Sequence, residues 1–498
     1  MVTGAMVMYC FLSTYNGLAR GYSLTTQVDN WYFAFLGIRY GKTSRGDLRF
    51  SKPENVTRIE TLMSRQECLE MDPKDGSFIG QEDCLFLNVY TTRVYVNQSM
   101  PVLIWIHGQS LPLESNKGSI YSPDKLMNHG VVVVTMSYRV GPLGFASFEN
   151  STMPGNYGFM DQQLAIEWVV RNIHLFGGDR KRITLAGEGE GAAFVLHHLN
   201  GPMKDQIKKG IVISGSRIAP WAMSRESWVH NRTLDLFKAV NCSSLDCLRN
   251  VDARKLLQAA YANQNKMPWW WGKIATQFRP VVDDINIKDN WFDEERQANF
   301  SLLVGLRSDE GEVMKEVAAK YNMSEEDTSR LFCTYNDGGG RRQGGPSLPC
   351  VYGSTNQIGS MYKSNDEPVK SARKYIADSW YYYPAMYEAR IHVGPLNAFM
   401  YNYTTGPLEC TMQYKVPFML IVDNCPLYEN SYESTASKFT QVVARFVHGR
   451  DLKVQSYFID QELFDITQAI LEPEAYSEID SDLANRMKTM KSLLIDYY

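Results

Sequence analysis

The chain has 498 residues, of which 44% are apolar and 21% are charged, and its formal net charge is −4. This composition predicts a protein with a large packed core, and so small a charge argues against a nucleic-acid partner. No apolar run approaches the roughly 18 residues that a membrane-spanning helix requires.

The first apolar run of the chain, Met6–Leu12, is short and has no basic residue before it. A secretory signal peptide begins with a positively charged segment and continues with a longer apolar one. A first β-strand is therefore favoured over the remnant of a signal peptide, although the sequence leaves both open.

Short apolar runs then alternate with helical patterns such as Asp161–Leu175 and Ala192–Leu199. The runs are continuously apolar, as expected of strands that are buried on both faces of a sheet. This alternation predicts an α/β fold, and no repeat or long linker divides residues 1–498, which favours a single domain. The predicted strands are Phe86–Tyr90, Val102–His107, Val131–Ser137, Ile183–Ala186, Gly210–Ser214, Leu302–Gly305, Ala398–Tyr403 and Pro417–Val422.

One predicted strand-to-helix junction, the segment LAGEGEGAAF at 185–194, contains three alternating glycines. Gly187, Gly189 and Gly191 lie between the apolar run and the helical pattern, as in a sharp elbow. In one large class of enzymes the middle residue of such an elbow is the catalytic nucleophile. Here that residue is Gly189, which has no side chain.

The cysteine and asparagine patterns predict a protein outside the cytosol. Eight of the nine cysteines fall into close sequential pairs, which suits local disulfides; reduced buried thiols are the alternative. For the odd residue, Cys10, a buried thiol is favoured over an intermolecular link. Neither a Cys-X-X-Cys motif nor paired His/Cys spacing occurs, so no metal site is expected. The paired cysteines are Cys68, Cys84, Cys242, Cys247, Cys333, Cys350, Cys410 and Cys425. Eight glycosylation sequons, which favour a secreted surface, begin at Asn55, Asn97, Asn150, Asn231, Asn241, Asn299, Asn322 and Asn402.

A series of motifs resembles the cholinesterase and type-B carboxylesterase family of α/β-hydrolases. The motifs follow in the family's order over nearly the whole chain: FAFLGIRYG (33–41), EDCLFLNVY (82–90), PVLIWIHG (101–108), SYRVGPLGF (137–145), FGGD (176–179), FRPVVD (278–283) and DEG (309–311). The resemblance implies an α/β-hydrolase fold, in which a large, mostly parallel sheet is flanked by helices.

The resemblance also implies where the catalytic triad of the family would lie. The nucleophile position is Gly189, and the acid position is Glu310. The base position falls on Met412, or on Gln413 if the register shifts by one residue. Neither side chain accepts a proton near neutral pH. Glu310 is then expected to be a retained structural carboxylate.

The oxyanion loop of the family has three glycines after a histidine, whereas this chain reads His107-Gly108-Gln109-Ser110. The residue after the nucleophile position is Glu190, whose carboxylate would oppose the negative charge that develops on an oxyanion. We therefore expect a protein that is not an enzyme and that uses no cofactor.

Non-catalytic relatives in this family, namely neuroligins, neurotactin, glutactin and gliotactin, are cell-adhesion proteins. The resemblance implies an extracellular chain, secreted or part of a membrane protein anchored outside this sequence, that binds an extracellular or cell-surface protein. Immunoglobulin-type and laminin-G-type proteins are candidate partners. It further implies disulfides Cys68–Cys84 and Cys242–Cys247, as in cholinesterases, and Cys410–Cys425, as in neuroligins. Cys333 and Cys350 would close the base of a glycine-rich loop.

The alternative function is a carrier that holds an apolar small molecule in the vestigial gorge. The aromatic residues that would line such a gorge, or else belong to the core, are Trp269, Trp270, Trp271, Trp380 and Tyr381–Tyr383. Residual catalysis through Ser214 or Ser216 is a third, disfavoured hypothesis.

Two helical stripes, Ser437–His448 and Asp482–Ile495, are candidate homodimer contacts through a four-helix bundle. The alternative is that both stripes pack on the chain's own sheet.

Overall fold

The computed structural model describes residues 8–14, 17–26, 28–71, 76–94, 99–108, 122–219, 221–224, 228–262, 278–288, 299–308, 310–312, 374, 377–401, 431–450, 452 and 463–465. Within these residues, eleven strands form one central sheet: β1 (Tyr9–Thr14), β2 (Gly17–Thr25), β3 (Trp31–Arg39), β6 (Phe86–Thr91), β7 (Met100–Ile106), β8 (Val132–Met136), β9 (Gly178–Glu188), β10 (Lys209–Ile213), β11 (Ser301–Arg307), β12 (Leu396–Tyr401) and β13 (Leu463–Asp465). Their order across the sheet is β1-β2-β3-β6-β8-β7-β9-β10-β11-β12-β13. A separate two-stranded sheet pairs β4 (Glu70–Met71) with β5 (Phe78–Ile79).

The middle of the large sheet, from β8 through β7, β9, β10 and β11 to β12, is parallel. Antiparallel strands extend it on one side through β6 to β1 and on the other side to β13. The predicted α/β-hydrolase architecture, a large and mostly parallel sheet flanked by helices, is confirmed.

The helices connect the strands on both sides of the sheet. They are α1 (Asp124–Met127), α2 (Gly141–Phe145), α3 (Tyr157–Asn172), α4 (Glu190–Asn200), α5 (Trp228–Ala239), α6 (Leu245–Asn250), α7 (Ala253–Ala262), α8 (Tyr383–Ile391) and α9 (Ser431–His448). A π-helical turn at Ala377–Tyr382 leads into α8. No helix in the described part of the chain is long and apolar enough to cross a membrane.

The two faces of the sheet carry separate apolar cores. Along β7, Val102, Ile104 and Ile106 contact the core under α3 and α4, whereas Leu103 and Trp105 contact the core under α9. Because successive side chains of a strand point to opposite faces, a continuously apolar strand fills both cores. Burial on both faces is therefore the reason that unbroken apolar runs predict these strands.

The predicted strands are present wherever the structure describes them. Of the first apolar run, residues 9–12 belong to the strand β1, and Met6 and Val7 lie outside the described residues. β9 is longer than the predicted Ile183–Ala186, because it begins at Gly178 with a polar segment that no apolar pattern marks. The predicted helix Asp161–Leu175 begins earlier, at Tyr157, and ends in a 3₁₀ turn over Ile173–Phe176. The predicted strand Pro417–Val422 lies outside the described residues.

The apolar stripe predicted as a dimer contact on Ser437–His448 is buried within the chain itself. Phe439, Val442, Val443 and Phe446 pack against the sheet in the core under α9. These side chains follow the alternative that the sequence left open. The second helix, Asp482–Ile495, lies outside the described residues, so a dimer through the two helices stays a prediction.

The disulfides Cys68–Cys84 and Cys242–Cys247 are formed, and Cys10 is a free, half-buried thiol. Two disulfides suit an oxidising, extracellular compartment. The remaining paired cysteines, Cys333, Cys350, Cys410 and Cys425, lie outside the described residues. Five sequon asparagines are described, and all have exposed side chains: Asn55, Asn150, Asn231, Asn241 and Asn299. The other three, Asn97, Asn322 and Asn402, lie outside the described residues.

Candidate functional site: the elbow between β9 and α4

The predicted elbow is present at the carboxyl end of β9. The strand ends at Glu188, α4 begins at Glu190, and Gly189 joins them with φ +54° and ψ −120°. The Gly189 N–H donates to the carbonyl of Ile213 at 2.9 Å, and its own carbonyl accepts from the Ala193 N–H at 3.2 Å. These bonds hold the turn between strand β10 and the first turn of α4.

The three glycines of the elbow are not equivalent. A Cβ atom on Gly187 would lie 2.4 Å from the backbone of Gly191, and one on Gly191 would lie 2.1 Å from the carbonyl oxygen of Ile106. A Cβ atom on Gly189 would meet no atom within 4 Å among the described residues. Gly187 and Gly191 are therefore needed for close packing, whereas the position of Gly189 has room for a side chain.

The backbone of Gly189 remains unfavourable for any other residue. A positive φ is nearly free for glycine, but it costs other residues about 1–3 kcal/mol, which enzymes tolerate at functional positions. The elbow thus has the sharp strand-to-helix turn in which one class of enzymes holds its nucleophile. It lacks the strain and the hydroxyl group that a serine would bring.

Two carboxylates flank Gly189 in the chain. Glu188 ends β9 and Glu190 opens α4, and both side chains are buried. Glu190 lies in the first turn of an eleven-residue helix, where the helix dipole favours negative charge.

Glu310, the predicted acid position, is a buried anchor between two strand ends. Its Oε1 atom accepts from the Ser214 hydroxyl group at 2.6 Å and from the Arg307 backbone N–H at 2.9 Å. Ser214 follows β10 with a positive φ of 49°, and its N–H donates to the Gly305 carbonyl at 2.9 Å. The carboxylate therefore ties the turn after β10 to the end of β11.

A second buried carboxylate holds the continuation of the same turn. Glu388 on α8 accepts from the Arg217 Nε atom at 2.8 Å and from the Ser216 hydroxyl group at 3.2 Å. Both Ser214 and Ser216 thus donate to carboxylates that fix the backbone. Sequence reasoning singled out these serines but missed Glu388, because it lies 171 residues from Arg217 and has no local motif.

The entrance to the oxyanion loop follows β7. The His107 Nδ1 atom lies 2.6 Å from the Gly108 carbonyl oxygen, and the His107 carbonyl accepts from the Tyr138 hydroxyl group at 2.5 Å. The two rings stack with centroids 4.5 Å apart. Burial lowers the pKa of His107 to about 4, so its imidazole is neutral at physiological pH.

Several predicted positions lie outside the described residues: Gln109 and Ser110 of the oxyanion loop, Met412 and Gln413 of the base position, and Trp269–Trp271. The described aromatic residues Trp380, Tyr382 and Tyr383 are buried in the core under α3 and α4, and Tyr381 packs against it. They therefore follow the core interpretation. Within the described ranges, no group of three or more His, Cys, Asp or Glu side chains could hold a metal ion.

Comparisons with known proteins agree with this architecture. Cholinesterase of Mus musculus is 34% identical over 327 residues, which cover 60% of this chain and 53% of the mouse protein. Esterase B1 of Culex pipiens is 37% identical over 226 residues, which cover 44% of this chain and 42% of that protein. The chain thus spans about half the length of the curated relatives it matches.

The crystal structure of juvenile hormone esterase from Manduca sexta, with OTFP covalently attached, superposes with a TM-score of 0.73. It is 18% identical, and the match covers 90% of this chain and 92% of that chain, so the likeness extends to the fold. The model of the Carboxylesterase family matches residues 10–490. From its sequence and its fold, the chain belongs to the carboxylesterase family.

Proposed function

We propose that this chain is a catalytically inactive member of the carboxylesterase family that acts outside the cell in adhesion or protein recognition. The observation that carries the proposal is Gly189, which occupies the elbow in the backbone conformation of a nucleophile. A side chain at this position would meet no atom of the described residues within 4 Å, yet the residue is a glycine.

The loss of the nucleophile has the largest chemical consequence. Acyl transfer needs a hydroxyl or thiol group that an adjacent base activates, and removing the serine of such a triad lowers turnover by about 10⁶. A backbone methylene group cannot replace it. The buried Glu190 beside the elbow makes the same position still less favourable for an oxyanion intermediate.

The retained acid supports this proposal. The Glu310 oxygen that accepts from Ser214 also accepts from the Arg307 N–H, so the carboxylate stabilises the backbone whether or not a triad exists. A side chain with such a structural role is retained when catalysis is no longer selected. Its presence is therefore compatible with an inactive protein.

A role in protein recognition rests on the resemblance to the adhesion proteins of the family and on the extracellular character of the chain. The disulfides Cys68–Cys84 and Cys242–Cys247 and the exposed sequon asparagines favour a secreted or cell-surface location. The chain then presents the α/β-hydrolase surface to an extracellular partner of the immunoglobulin or laminin-G type.

The test measures binding and turnover on one sample of the glycosylated chain. Ester hydrolysis is assayed with short and long acyl esters, with and without a serine-directed covalent inhibitor. In parallel, the chain is screened against immunoglobulin-type and laminin-G-type extracellular proteins by surface plasmon resonance. We expect saturable binding and no inhibitor-sensitive turnover. Turnover that the inhibitor abolishes would overturn the proposal, and a screen with no binding partner would remove its adhesion part.

A further inference from the structure

The strand β1 lies at one end of the large sheet, and no strand of the described chain pairs with its outer edge. Its sequence, YCFLST over Tyr9–Thr14, contains no charged residue, no proline and no glycine. Monomeric proteins usually protect such an edge with charges, prolines or bulges, because an open edge pairs with another chain. β1 has the composition of a strand that pairs.

The ladder between β1 and β2 determines which backbone groups face outward. The Ser23 N–H donates to the Met8 carbonyl at 2.8 Å, so these two residues form a hydrogen-bonded pair. Such pairs alternate along an antiparallel ladder, and Cys10 opposite Gly21 is therefore the next one. It follows that the backbone N–H and C=O groups of Tyr9 and Phe11 point to the outer edge.

The side chains of β1 alternate between two different environments. Tyr9 is 63% exposed and Phe11 is 57% exposed, on one face of the sheet. Cys10 points to the opposite face, where its free thiol is half-buried against the core under α3 and α4. Tyr9 and Phe11 thus supply both the outward backbone groups and the exposed aromatic rings, and the free Cys10 lies between them.

We propose that two copies of this chain associate through β1, antiparallel about a two-fold axis at Cys10, so that the sheet continues across the dimer. In this register Tyr9 lies opposite Phe11 of the partner subunit, and the two residues exchange backbone hydrogen bonds. The two-fold axis generates a second, equivalent pair, in which Phe11 lies opposite Tyr9 of the partner subunit. Aromatic cross-strand pairs of this kind are among those that stabilise antiparallel sheets.

The same register places the two Cys10 residues directly opposite each other. At a position without hydrogen bonds, opposed Cα atoms lie about 4.5 Å apart, within the range of about 4.4–6.8 Å that disulfides span. Backbone pairing, aromatic pairing and the odd cysteine of a disulfide-bonded chain therefore agree on one partner, a second copy. This interface differs from the predicted stripe on α9, and it does not depend on whether the chain is an enzyme.

The Cys10 pair allows the dimer to be captured by oxidised glutathione. The first Cys10 thiolate attacks the glutathione disulfide, releases one glutathione thiolate and forms a mixed disulfide. The second Cys10 thiolate then displaces the other glutathione, so two protein thiols are oxidised while one glutathione disulfide is reduced to two thiols.

The first experiment is sedimentation velocity of the full chain, with its disulfides intact, over the micromolar range in a buffer that contains neither oxidant nor reductant. It compares the wild type with Phe11→Lys, because lysine protects edge strands from pairing. The matched control is Val28→Lys in the turn between β2 and β3, where the apolar side chain is 64% exposed. We expect the wild type and the control to dimerise alike. Phe11→Lys should weaken dimerisation about tenfold, since both aromatic pairs are lost.

The second experiment treats the same proteins and Cys10→Ser with oxidised glutathione, followed by non-reducing electrophoresis and peptide mapping. A Cys10–Cys10 link is expected in the wild type and in Val28→Lys, is absent from Cys10→Ser, and forms about tenfold more slowly in Phe11→Lys. Circular dichroism verifies that each variant is folded. A monomeric wild type, a dimer that Phe11→Lys does not weaken, or a dimer that yields no Cys10 link would overturn the proposal.

Discussion

The ends of β9 and β11, the two strands that flank β10, carry different features of the predicted catalytic site. At the end of β9, Gly189 keeps the backbone conformation of the nucleophile but has no functional group. At the end of β11, Glu310 keeps its functional group and uses it to hold Ser214 and the Arg307 N–H. If the chain is inactive, as we propose, the difference is explained by the structural role of the Glu310 side chain, which the side chain of a nucleophile at position 189 would not have.

The largest expected effect separates the structural glycines from Gly189. Gly191→Ala places a Cβ atom 2.1 Å from the Ile106 carbonyl oxygen, so β7 and α4 must move apart. We expect the free energy of unfolding to fall by about 3 kcal/mol or more. Gly189→Ala meets no atom of the described residues within 4 Å and should cost only the strain of a positive φ, about 1–3 kcal/mol.

Both variants are measured by urea denaturation, with circular dichroism as the signal. Equal losses of stability in Gly189→Ala and Gly191→Ala would contradict the distinction between a glycine that packing requires and one that only the turn conformation favours.

The next effect tests whether Glu310 is an anchor. Glu310→Ala leaves the buried Ser214 hydroxyl group and the Arg307 N–H without this acceptor, which should lower the free energy of unfolding by about 2–3 kcal/mol. Glu310→Gln keeps an oxygen that accepts both bonds, so its loss should be about 1 kcal/mol.

The two Glu310 variants are compared by thermal and urea denaturation. If both are as stable as the wild type, the carboxylate has no structural role and its retention needs another explanation.

These two strand ends also show what the sequence can predict. The elbow, its empty nucleophile position and the acid at Glu310 are visible because each lies in a short local motif with fixed spacing. The contacts that give Glu310 its structural role are not visible. They join Ser214 to a residue 96 positions away, and only the parallel pairing of β10 with β11 brings the two together.

The same difference between local patterns and long-range contacts applies to the fold. Buried central strands such as β7 and β8 were predicted because apolar residues fill both cores along their length. The polar first half of β9 was missed, because it has no apolar pattern and, of its residues, the ladder to β7 includes only Gly178 before the register shifts to Ile183. The apolar stripe on α9 could pack on the chain's own sheet or on a second copy of the chain. The sequence does not distinguish these two partners, since an apolar stripe is suited to both.

A third retained group, His107, gives a smaller, pH-dependent effect. Its pKa is lowered to about 4 by burial, below the value of about 6.5 in an unfolded chain. The unfolded state therefore binds more protons in this window, and the stabilisation present above about pH 6.5 is lost as the pH falls towards 4.

His107→Gln removes this titration while keeping a polar side chain. Between pH 6 and pH 5, the free energy of unfolding of the variant should depend on pH less steeply than that of the wild type, by roughly 1 kcal/mol per pH unit. Urea denaturation at both pH values measures the slope. Identical slopes would mean that His107 is protonated as readily in the folded chain as in the unfolded one.

The smallest expected effect is the most informative about function. Gly189→Ser restores the hydroxyl group at a position where the side chain meets no other described atom, so the variant should fold with only the strain of its positive φ. Ester turnover should nevertheless stay at the background level. The buried Glu190 disfavours the oxyanion, and at the predicted base position Met412 cannot accept the serine proton.

The assay uses an activated ester and a serine-directed fluorescent probe, and Ser214→Ala in the same background controls for labelling at Ser214, a buried serine close to the elbow. If Gly189→Ser alone turns over ester and binds the probe, then a working base and oxyanion loop are present, and only the nucleophile has been lost. In that case one substitution at the elbow restores activity, and the interpretation of Glu310 as a purely structural carboxylate would be wrong. Glu310 would then be a catalytic acid that also happens to anchor the fold.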